Sequence, residues 1–591
     1  MTNPSIQQAT PILPVPGQRN VLVTSALPYV NNVPHLGNII GCVLSADVYA
    51  RFARLRGYNV IYVCGTDEYG TATEQKAIQE GLPPRQICDK YHALHADVYK
   101  WFDIQFDVFG RTSEPAQTEI VQNIFHECEA AGIIHEDIVE QLYCEQCQSF
   151  LADRYVGGTC PDCGYVGAHG DQCDGCGHLM NAILLKDPYC AADKSRPIVK
   201  SSKHLFIDLP KCQEPLTEWI DQQSVDGHWS ANSIQVTRGW LATGLKSRSI
   251  TRDLKWGIPV PKDGYRDKVF YVWFDAPIGY LSITAAYTPE WERWWKNPDP
   301  NTKIELVQFM GKDNIPFHTV IFPSMLMGAN QGYTMLHHIS TTEYLNYESG
   351  KFSKSRGVGV FGDTAQLTGV SSSVWRYYLL VNRPENSDTV FTWDDFQQKN
   401  NGELLKNLGN FVNRALVFVT KFFGGKIPTM HALTPEDDAF IADMNENASQ
   451  YCQYLELVSI KDALKTAMAA CSRCNLYFQD QQPWKLHKEG QLERAGTIVA
   501  LGVAAVVLIA TLIEPYMPSL TATILNQLKV SPDVLSLKGG ADGQSFFNTD
   551  AVPADHEIGT PQVLFTKITD EQIVSWRAAY CGQSNPATTS Q

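Results

Sequence analysis

Val21-Leu22-Val23-Thr24-Ser25, with Pro28 shortly behind it, leads into Pro34-His35-Leu36-Gly37-Asn38. An apolar, β-branched run closed by proline predicts a short buried parallel strand. Ile39 to Leu55 follows, with Ile40, Val43, Leu44 and Asp47-Val48 giving a mixed apolar face, and predicts a helix. Asn59 to Cys64 then predicts a second strand, which ends in Gly65-Thr66-Asp67-Glu68. Strand, glycine-containing turn, helix, strand is a nucleotide-binding α/β unit with its site at the carboxyl ends of the strands. Pro34–Asn38 and Asp67 both fall at that edge. An imidazole and a glycine in a small loop at a helix start suit an approaching phosphate.

Far downstream lies Lys351-Phe352-Ser353-Lys354-Ser355. Two lysines and two hydroxyls on a mobile loop suit a leaving polyphosphate. Read alone, that run is a solvated turn. Its order behind the first motif, and the strand before that motif, carry the joint reading. Further apolar strands are expected at Lys268–Phe274 and Glu305–Phe309. Between Asp137 and Leu254 the pattern turns cysteine- and glycine-rich, which predicts an insertion splitting the α/β domain. After Trp393-Asp394-Asp395 the chain reads as helical to about Leu528, divided near Gly424-Gly425 and Pro483. The expected order is a flexible tail (1–19), a first Rossmann half (20–136), the insertion (137–254) and a second half (255–360). A connecting stem (361–398), a helical domain (399–528) and a tail packing back on the body (529–591) complete it.

The chain has 591 residues, 44% hydrophobic and 19% charged, the composition of an ordinary globular protein of several domains. Residues 1–19 lack a basic region followed by an apolar stretch and are poor in arginine, which predicts neither a secretory signal nor a mitochondrial presequence. Gly496 to Ile513 is an apolar run at the length threshold of a membrane span. Its Gly, Ala and Thr content and its helical surroundings favour a buried bundle helix. The net charge of −15 argues against a generally basic nucleic-acid binder, but steering depends on local patches. Lys399 to Pro428 is such a patch, with Lys399, Lys406, Arg414, Lys421 and Lys426 against Glu403 alone.

Of sixteen cysteines, six form Cys144-x-x-Cys147, Cys160-x-x-Cys163 and Cys173-x-x-Cys176. That spacing is that of zinc knuckles. Six thiolates exceed one tetrahedral site and fall short of two, and Cys190-Ala191-Ala192-Asp193 reads as a degraded fourth knuckle. One complete site is expected from Cys160, Cys163, Cys173 and Cys176. A second, from Cys144, Cys147, Cys190 and Asp193, is the weaker expectation, and spacing alone leaves the pairing open. Four protein ligands leave no open position, so the role is structural. Cys471-x-x-Cys474 lies in a helical pattern and reads as two core thiols; Cys42, Cys64, Cys88, Cys128, Cys212 and Cys452 read as buried thiols of a reducing compartment.

The two motifs resemble the signatures of class I aminoacyl-tRNA synthetases. Ala26-Leu27-Pro28-Tyr29, Tyr271 to Tyr280, Gly311-Lys312-Asp313-Asn314 and Asn475 to Trp484 resemble methionyl-tRNA synthetase, and Lys312 to His318 resembles its eukaryotic cytosolic branch. The resemblance runs from about Asn20 to Leu528, and weakly beyond. It implies a Rossmann-type catalytic domain split by a zinc-knuckle insertion and followed by an all-α anticodon-binding bundle. It also implies activation of L-methionine by ATP with Mg2+, then transfer to the terminal adenosine of methionine tRNA, initiator and elongator. By the same resemblance Pro34, His35, Gly37, Asn38, Lys354 and Ser355 bind ATP, and His35, Asn38, Lys351 and Lys354 carry catalysis. Asp67 would meet the substrate ammonium. Leu27, Tyr29, Trp273, Pro277, Tyr280 and His318 would wall the thioether, since aromatic rings suit sulfur. Read without the resemblance, Trp273 and Tyr280 are ordinary core residues and His318 a structural histidine.

Asn410, Arg414 and Trp484 would read the anticodon, with Asn410 and Arg414 at i, i+4 on one helix face and the indole available to stack a base. Asn38 stands where many class I enzymes have a second histidine; an amide still donates. Asn314 stands where some relatives have an aliphatic residue. The expected setting is cytoplasmic, without a membrane. The expected state is a monomer, helped in trans by another tRNA-binding protein. Two other readings compete: a class I synthetase for a different apolar amino acid, and a catalytically silent zinc-and-RNA-binding relative. The aromatic wall disfavours the first, and His35, Asp67, Lys351 and Lys354 disfavour the second.

Overall fold

Val21, Leu22 and Val23 have no solvent exposure at all, and a strand without a polar face needs neighbours on both edges and cover on both faces. It has them. In the computed structural model β1 (Asn20–Ser25) is the middle strand of a five-stranded sheet with β2 (Asn59–Thr66), β3 (Val108–Arg111), β4 (Ile304–Gly311) and β5 (Leu336–Thr342), in the order β5-β4-β1-β2-β3. β1 runs parallel to β4, from Asn20 opposite Ile304 to Ser25 opposite Phe309, and β2 runs parallel to β3. This is the strand order of a Rossmann sheet, in which the connection reverses beside β1 and opens a crevice at the carboxyl ends. Ala26–Tyr29, Asp67 and Lys312 leave the sheet at those ends.

The structure describes residues 10–151, 155–170, 173, 175–176, 180–296, 299–348, 350–354, 356–540 and 545–582. They fall into two units. The first comprises 10–33, Ile61–Ala96 and Phe106–Thr341; the second comprises Pro34–Val60, Asp97–Gln105 and 342–582.

In the first unit the sheet is backed by the helices Pro115–Ala130, Gly279–Tyr287 and Phe322–Ala329. The insertion between β3 and β4 opens with a long antiparallel pair, Ile134–Cys144 against Ile198–Ile207. A second small sheet, Val166–His169, Val156–Thr159 and Lys186–Cys190, hangs from it and carries the cysteine knuckles. The strand expected over Lys268–Phe274 is not there. Only Val269–Phe270 is extended, paired with Thr251–Arg252, and Val272–Asp275 closes a helical turn. A short apolar run has no periodicity to separate strand from buried turn. Here the Ala276 N–H bonds the Val272 carbonyl at 3.0 Å, and the turn wins.

The second unit is mainly helical. Its bundle comprises Asn410–Phe422, Pro435–Glu456, Ile460–Gln481, Pro483–Lys488, Leu492–Ile513 and Pro518–Leu528. The divisions expected near Gly424-Gly425 and Pro483 are present, and a further one falls at Val458. The apolar helix Leu492–Ile513 passes the length and hydropathy test for a membrane span, yet its apolar window is wholly buried among the other helices. Gly502 is part of the reason. A Cβ there would lie 2.3 Å from the Phe478 ring, so the glycine lets Ile460–Gln481 come close. Cys471 and Cys474 lie on that second helix with no exposure, two core thiols as expected. Of the other thiols read as buried, Cys42 is only half-buried. The tail holds one helix that its Gly-, Pro- and Asp-rich composition did not announce, Asp570–Tyr580, which opens with a Thr569/Gln572 capping box.

One buried polar hub anchors the second unit. The Arg376 guanidinium, wholly buried, donates to Asp47 at 2.7 Å and to the carbonyls of Phe102, Pro515 and Tyr516. Asp47 also takes Arg51 at 3.0 Å and the Gln105 N–H at 2.9 Å.

Candidate functional site

In the second unit His35 caps the turn Leu36–Asn38. Its Nδ1 accepts from the backbone N–H of Gly37 at 3.0 Å and of Asn38 at 3.3 Å. The neutral imidazole therefore carries its proton on Nε2. Burial pushes its pKa down to about 4, so it stays neutral near pH 7 and offers Nε2–H as a donor. The Asn38 Oδ1 accepts from the His35 N–H at 3.1 Å, which turns the amide so that its NH2 is the outward group. Gly37 meets its first steric demand from this cap: a Cβ would sit 2.9 Å from the imidazole. The following turn, Ile39–Leu44, is π-helical, and the Ser45 hydroxyl reaches back to the Ile40 carbonyl at 2.6 Å. Such turns recur at functional sites.

The second motif lies against the first within this unit. The Phe352 ring stacks on His35, centroids 4.9 Å apart and planes 6° apart, and Phe361 meets His35 edge-on. Lys354 is about a third exposed; its Nζ lies 3.1 Å from Asp363 and 4.8 Å from the centre of the Phe361 ring. Lys351 and Asn38 are exposed and Pro34 is buried. Ser355 lies outside the described residues. The tail reaches this loop: the Gly359 N–H bonds the Tyr580 carbonyl at 3.0 Å, and Val358 bridges Cys581.

The residues expected to hold the amino acid all lie in the first unit. Tyr29 and Asp67 form a parallel bridge past the ends of β1 and β2. Asp67 is buried, with the Thr112 hydroxyl 3.5 Å away. Leu27 packs at Gly279, where a Cβ would lie 2.8 Å from its methyl. Trp273 stacks with Tyr271 and meets Phe317 edge-on, centroids 4.8 Å apart. Pro277 is buried at the turn before the helix Gly279–Tyr287. The His318 Nδ1–H donates to the Asn314 carbonyl at 2.9 Å, so its Nε2 accepts the Tyr280 hydroxyl, also at 2.9 Å. Burial holds His318 neutral, with its pKa lowered to about 4. It sits on a second π-turn, Phe317–Ile321.

Asp275 was not among the expected site residues. It is buried, and its Oδ1 has no hydrogen-bond partner. Its signal in the sequence was a carboxylate inside an apolar run. Burial raises its pKa to about 7. Burial, and after it the charge of Asp275, lifts Asp67 well above the carboxylate range. Both carboxyls hold protons in the fold that the unfolded chain gives up near pH 4. Their contribution to stability is therefore complete below about pH 4, and each is lost as pH rises through its raised pKa, about 7 for Asp275. Apo protein is expected to lose on the order of 3 kcal/mol between pH 5 and 8 through Asp275. Asp275→Asn should flatten that slope, as read from urea midpoints at each pH; an unchanged slope would contradict it.

Two more residues reach this cluster. The Arg248 guanidinium lies between the rings of Trp240 and Trp273, at 5.4 and 5.5 Å. That of Arg252 sits 3.5 Å over Tyr271.

In the insertion Cys160, Cys163, Cys173 and Cys176 converge, as do Cys144, Cys147, Cys190 and Asp193; within each set the ligand atoms lie within 4.8 Å of one another. Four sulfurs each about 2.3 Å from one tetrahedral ion stand about 3.8 Å apart. The observed separations are 3.6 Å for Cys163–Cys173, 4.0 Å for Cys160–Cys176 and 3.8 Å for Cys147–Cys190. Both sets thus fit zinc, the one completed by a carboxylate as well as the all-cysteine one.

In the helical bundle Asn410 donates to the Asn475 Oδ1 at 3.0 Å, and Asn475 donates in turn to the Asn407 carbonyl at 3.0 Å. Arg414 lies 5.5 Å from the centre of the half-buried Trp484 ring. The three expected residues are therefore neighbours, preceded by a third π-helical stretch, Lys399–Gly409. Asn475 completes the group.

Residues 21–416 match the family described as tRNA synthetases class I (M), and 427–585 match the anticodon binding domain of methionyl tRNA ligase. The chain is 55% identical to human cytoplasmic methionine–tRNA ligase over 97% of its own length and 63% of the relative's. It is 54% identical to the probable cytoplasmic methionine–tRNA ligase of Dictyostelium discoideum, over 97% and 77% of the two chains. It thus spans about 63% of the length of the human relative. Among solved structures, Mycobacterium tuberculosis methionyl-tRNA synthetase shares the fold, with a TM-score of 0.74, 24% identity and coverage of 93% and 99% of the two chains.

Proposed function

The chain belongs to the methionyl branch of the class I tRNA synthetases, and from that premise we propose that it activates L-methionine with MgATP and charges methionine tRNA in the cytoplasm. The observation that carries this reading is the capped, neutral His35 with Nε2–H on offer, set under a loop that bears Lys354.

In the first step a methionine carboxylate oxygen attacks the α-phosphorus. A P–O bond forms, the bond to the bridging β-oxygen breaks, and pyrophosphate leaves with the electron pair. Negative charge grows on the phosphoryl oxygens and the leaving group. His35 Nε2–H and the Asn38 NH2 are donors fixed before the reaction, and Lys354 and Lys351 bring positive charge to the pyrophosphate. The protein forms no covalent bond and works by position and charge. Asp67, once deprotonated, pairs with the substrate ammonium, and the pH dependence of methionine binding should follow its ionisation. Trp273, Tyr280, Pro277, Leu27, Tyr29 and His318 enclose the thioether. In the second step a hydroxyl of the terminal ribose attacks the methionyl carbonyl and AMP departs. Asn410, Arg414 and Trp484 bind the anticodon, Arg414 and the indole by stacking.

Zinc would be held by Cys160, Cys163, Cys173 and Cys176, and by Cys144, Cys147, Cys190 and Asp193. Its role is to fix the small sheets of the insertion. Elemental analysis should give two zincs per chain, and Cys160→Ser one. A count of one in the unsubstituted chain would remove the carboxylate-completed site.

The decisive experiment is exchange of labelled pyrophosphate into ATP with each standard amino acid in turn. Exchange with methionine alone is expected. Exchange with another amino acid would overturn the pocket assignment, and none from zinc-replete protein would overturn the catalytic reading.

A further inference from the structure

We propose that Asp363 is a positioning residue that holds Lys354 in a resting place and yields it to the phosphates of ATP. This inference rests on the adenylation reading above and adds a residue to it.

The Nζ of Lys354 lies 3.1 Å from one carboxylate oxygen of Asp363 and 3.3 Å from the other. Asp363 sits in the first turn of the short helix Gly362–Ala365, whose entry is fixed twice: the Gly362 N–H bonds the Pro34 carbonyl at 2.8 Å, and Phe361 bridges His35. The carboxylate is thus attached to the same backbone turn that presents His35. Lys354 comes instead from the loop, held at this end by contacts that include the packing of Phe352 on His35, Tyr347 and Phe361 and the Ser353–Val358 bridge, while its own ammonium rests over the Phe361 ring. A fixed acceptor and a lysine on a loop make a contact that can be exchanged. Each ammonium donor that Lys354 turns to a phosphate oxygen is withdrawn from Asp363, and the two anions compete for one charge. ATP binding thus draws the ammonium off Asp363. Both side chains are about a third exposed, and ion pairs of that exposure are weak enough for a polyphosphate to win. While ATP is absent, the pair keeps the lysine within reach of the site and away from other anions.

The test compares the unsubstituted chain, Asp363→Asn, Lys354→Ala and the double variant. Two quantities are read: the KM for ATP in methionine-dependent pyrophosphate exchange, and the Kd for inorganic pyrophosphate by equilibrium dialysis, which needs no turnover. Asp363→Asn should lower both by about two- to fivefold, the strength of an exposed pair. In the Lys354→Ala background it should change neither. An equal gain with and without Lys354 would show only relief of general charge repulsion and would overturn the latch. Loss of exchange by orders of magnitude in Asp363→Asn, reversed by raised Mg2+, would make Asp363 a metal contact and overturn it as well. Absence of exchange in the unsubstituted chain would defeat the adenylation reading, while the pyrophosphate comparison would still decide the latch.

Discussion

Lys354→Ala is expected to slow methionine-dependent adenylation by about 10²–10³-fold, the usual consequence of deleting one preorganised charge from a transition state. The loss should appear in kcat and more strongly in kcat/KM, because the lysine leaves Asp363 for the phosphates when ATP binds and meets still more charge as the transition state forms. Lys354→Arg should recover part of the rate, since the charge is kept while its point geometry is not. Binding of methionine tRNA, measured by filter retention at fixed salt, should change less than twofold. The side chain is a third exposed, and its ammonium meets Asp363 and the face of Phe361, so its removal costs little stability. Equal loss of adenylation and tRNA binding would mean that the residue acts on the fold.

Arg376→Met is expected to destabilise the second unit by about 3–5 kcal/mol, the range for breaking a buried ion pair from one side. Three carbonyls, of Phe102, Pro515 and Tyr516, lose this donor, and Asp47 is left with Arg51 and the Gln105 N–H among the described residues. Asp47 and Arg51 belong to the helix Ser45–Leu55, which continues from the turn capped by His35. The damage should therefore spread to adenylation. Trp375 is fully buried next to the substituted residue, so intrinsic fluorescence should report the lowered urea midpoint. Adding Asp47→Leu should return a good part of the loss, because replacing a whole buried pair by apolar groups is far cheaper than orphaning one partner. A midpoint unchanged by Arg376→Met would refute the hub.

Local chemistry along the chain decides much of this protein. Val21–Ser25 could satisfy its apolar residues only inside a sheet. The knuckle cysteines had one economical use, and Asn410 and Arg414 had to share a helix face. Those conclusions depend on neighbours in the chain, where spacing is geometry. The apolar run Gly496–Ile513 was legible for the same reason: alanines, glycine and threonines among the aliphatics mark a helix packed against helices.

Other features were settled only where distant segments met. Lys268–Phe274 is aromatic and β-branched, and only the surrounding packing made Val272–Asp275 a helical turn that buries Asp275. The raised pKa of Asp275 is a property of desolvation, which no residue carries in its own identity. The tautomer of His35 follows from the backbone N–H groups that it caps. Asp193 was already the weaker reading from the sequence, and tertiary packing brought Cys144 and Cys147 within 3.3 Å of its carboxylate. Asp363 bears no motif at all; its part comes from lying opposite Lys354. Sequence determined which chemistry the chain could hold, through periodicity and spacing. Tertiary structure determined which groups meet and how much water is left around them, because burial and long-range contact are sums over the whole fold.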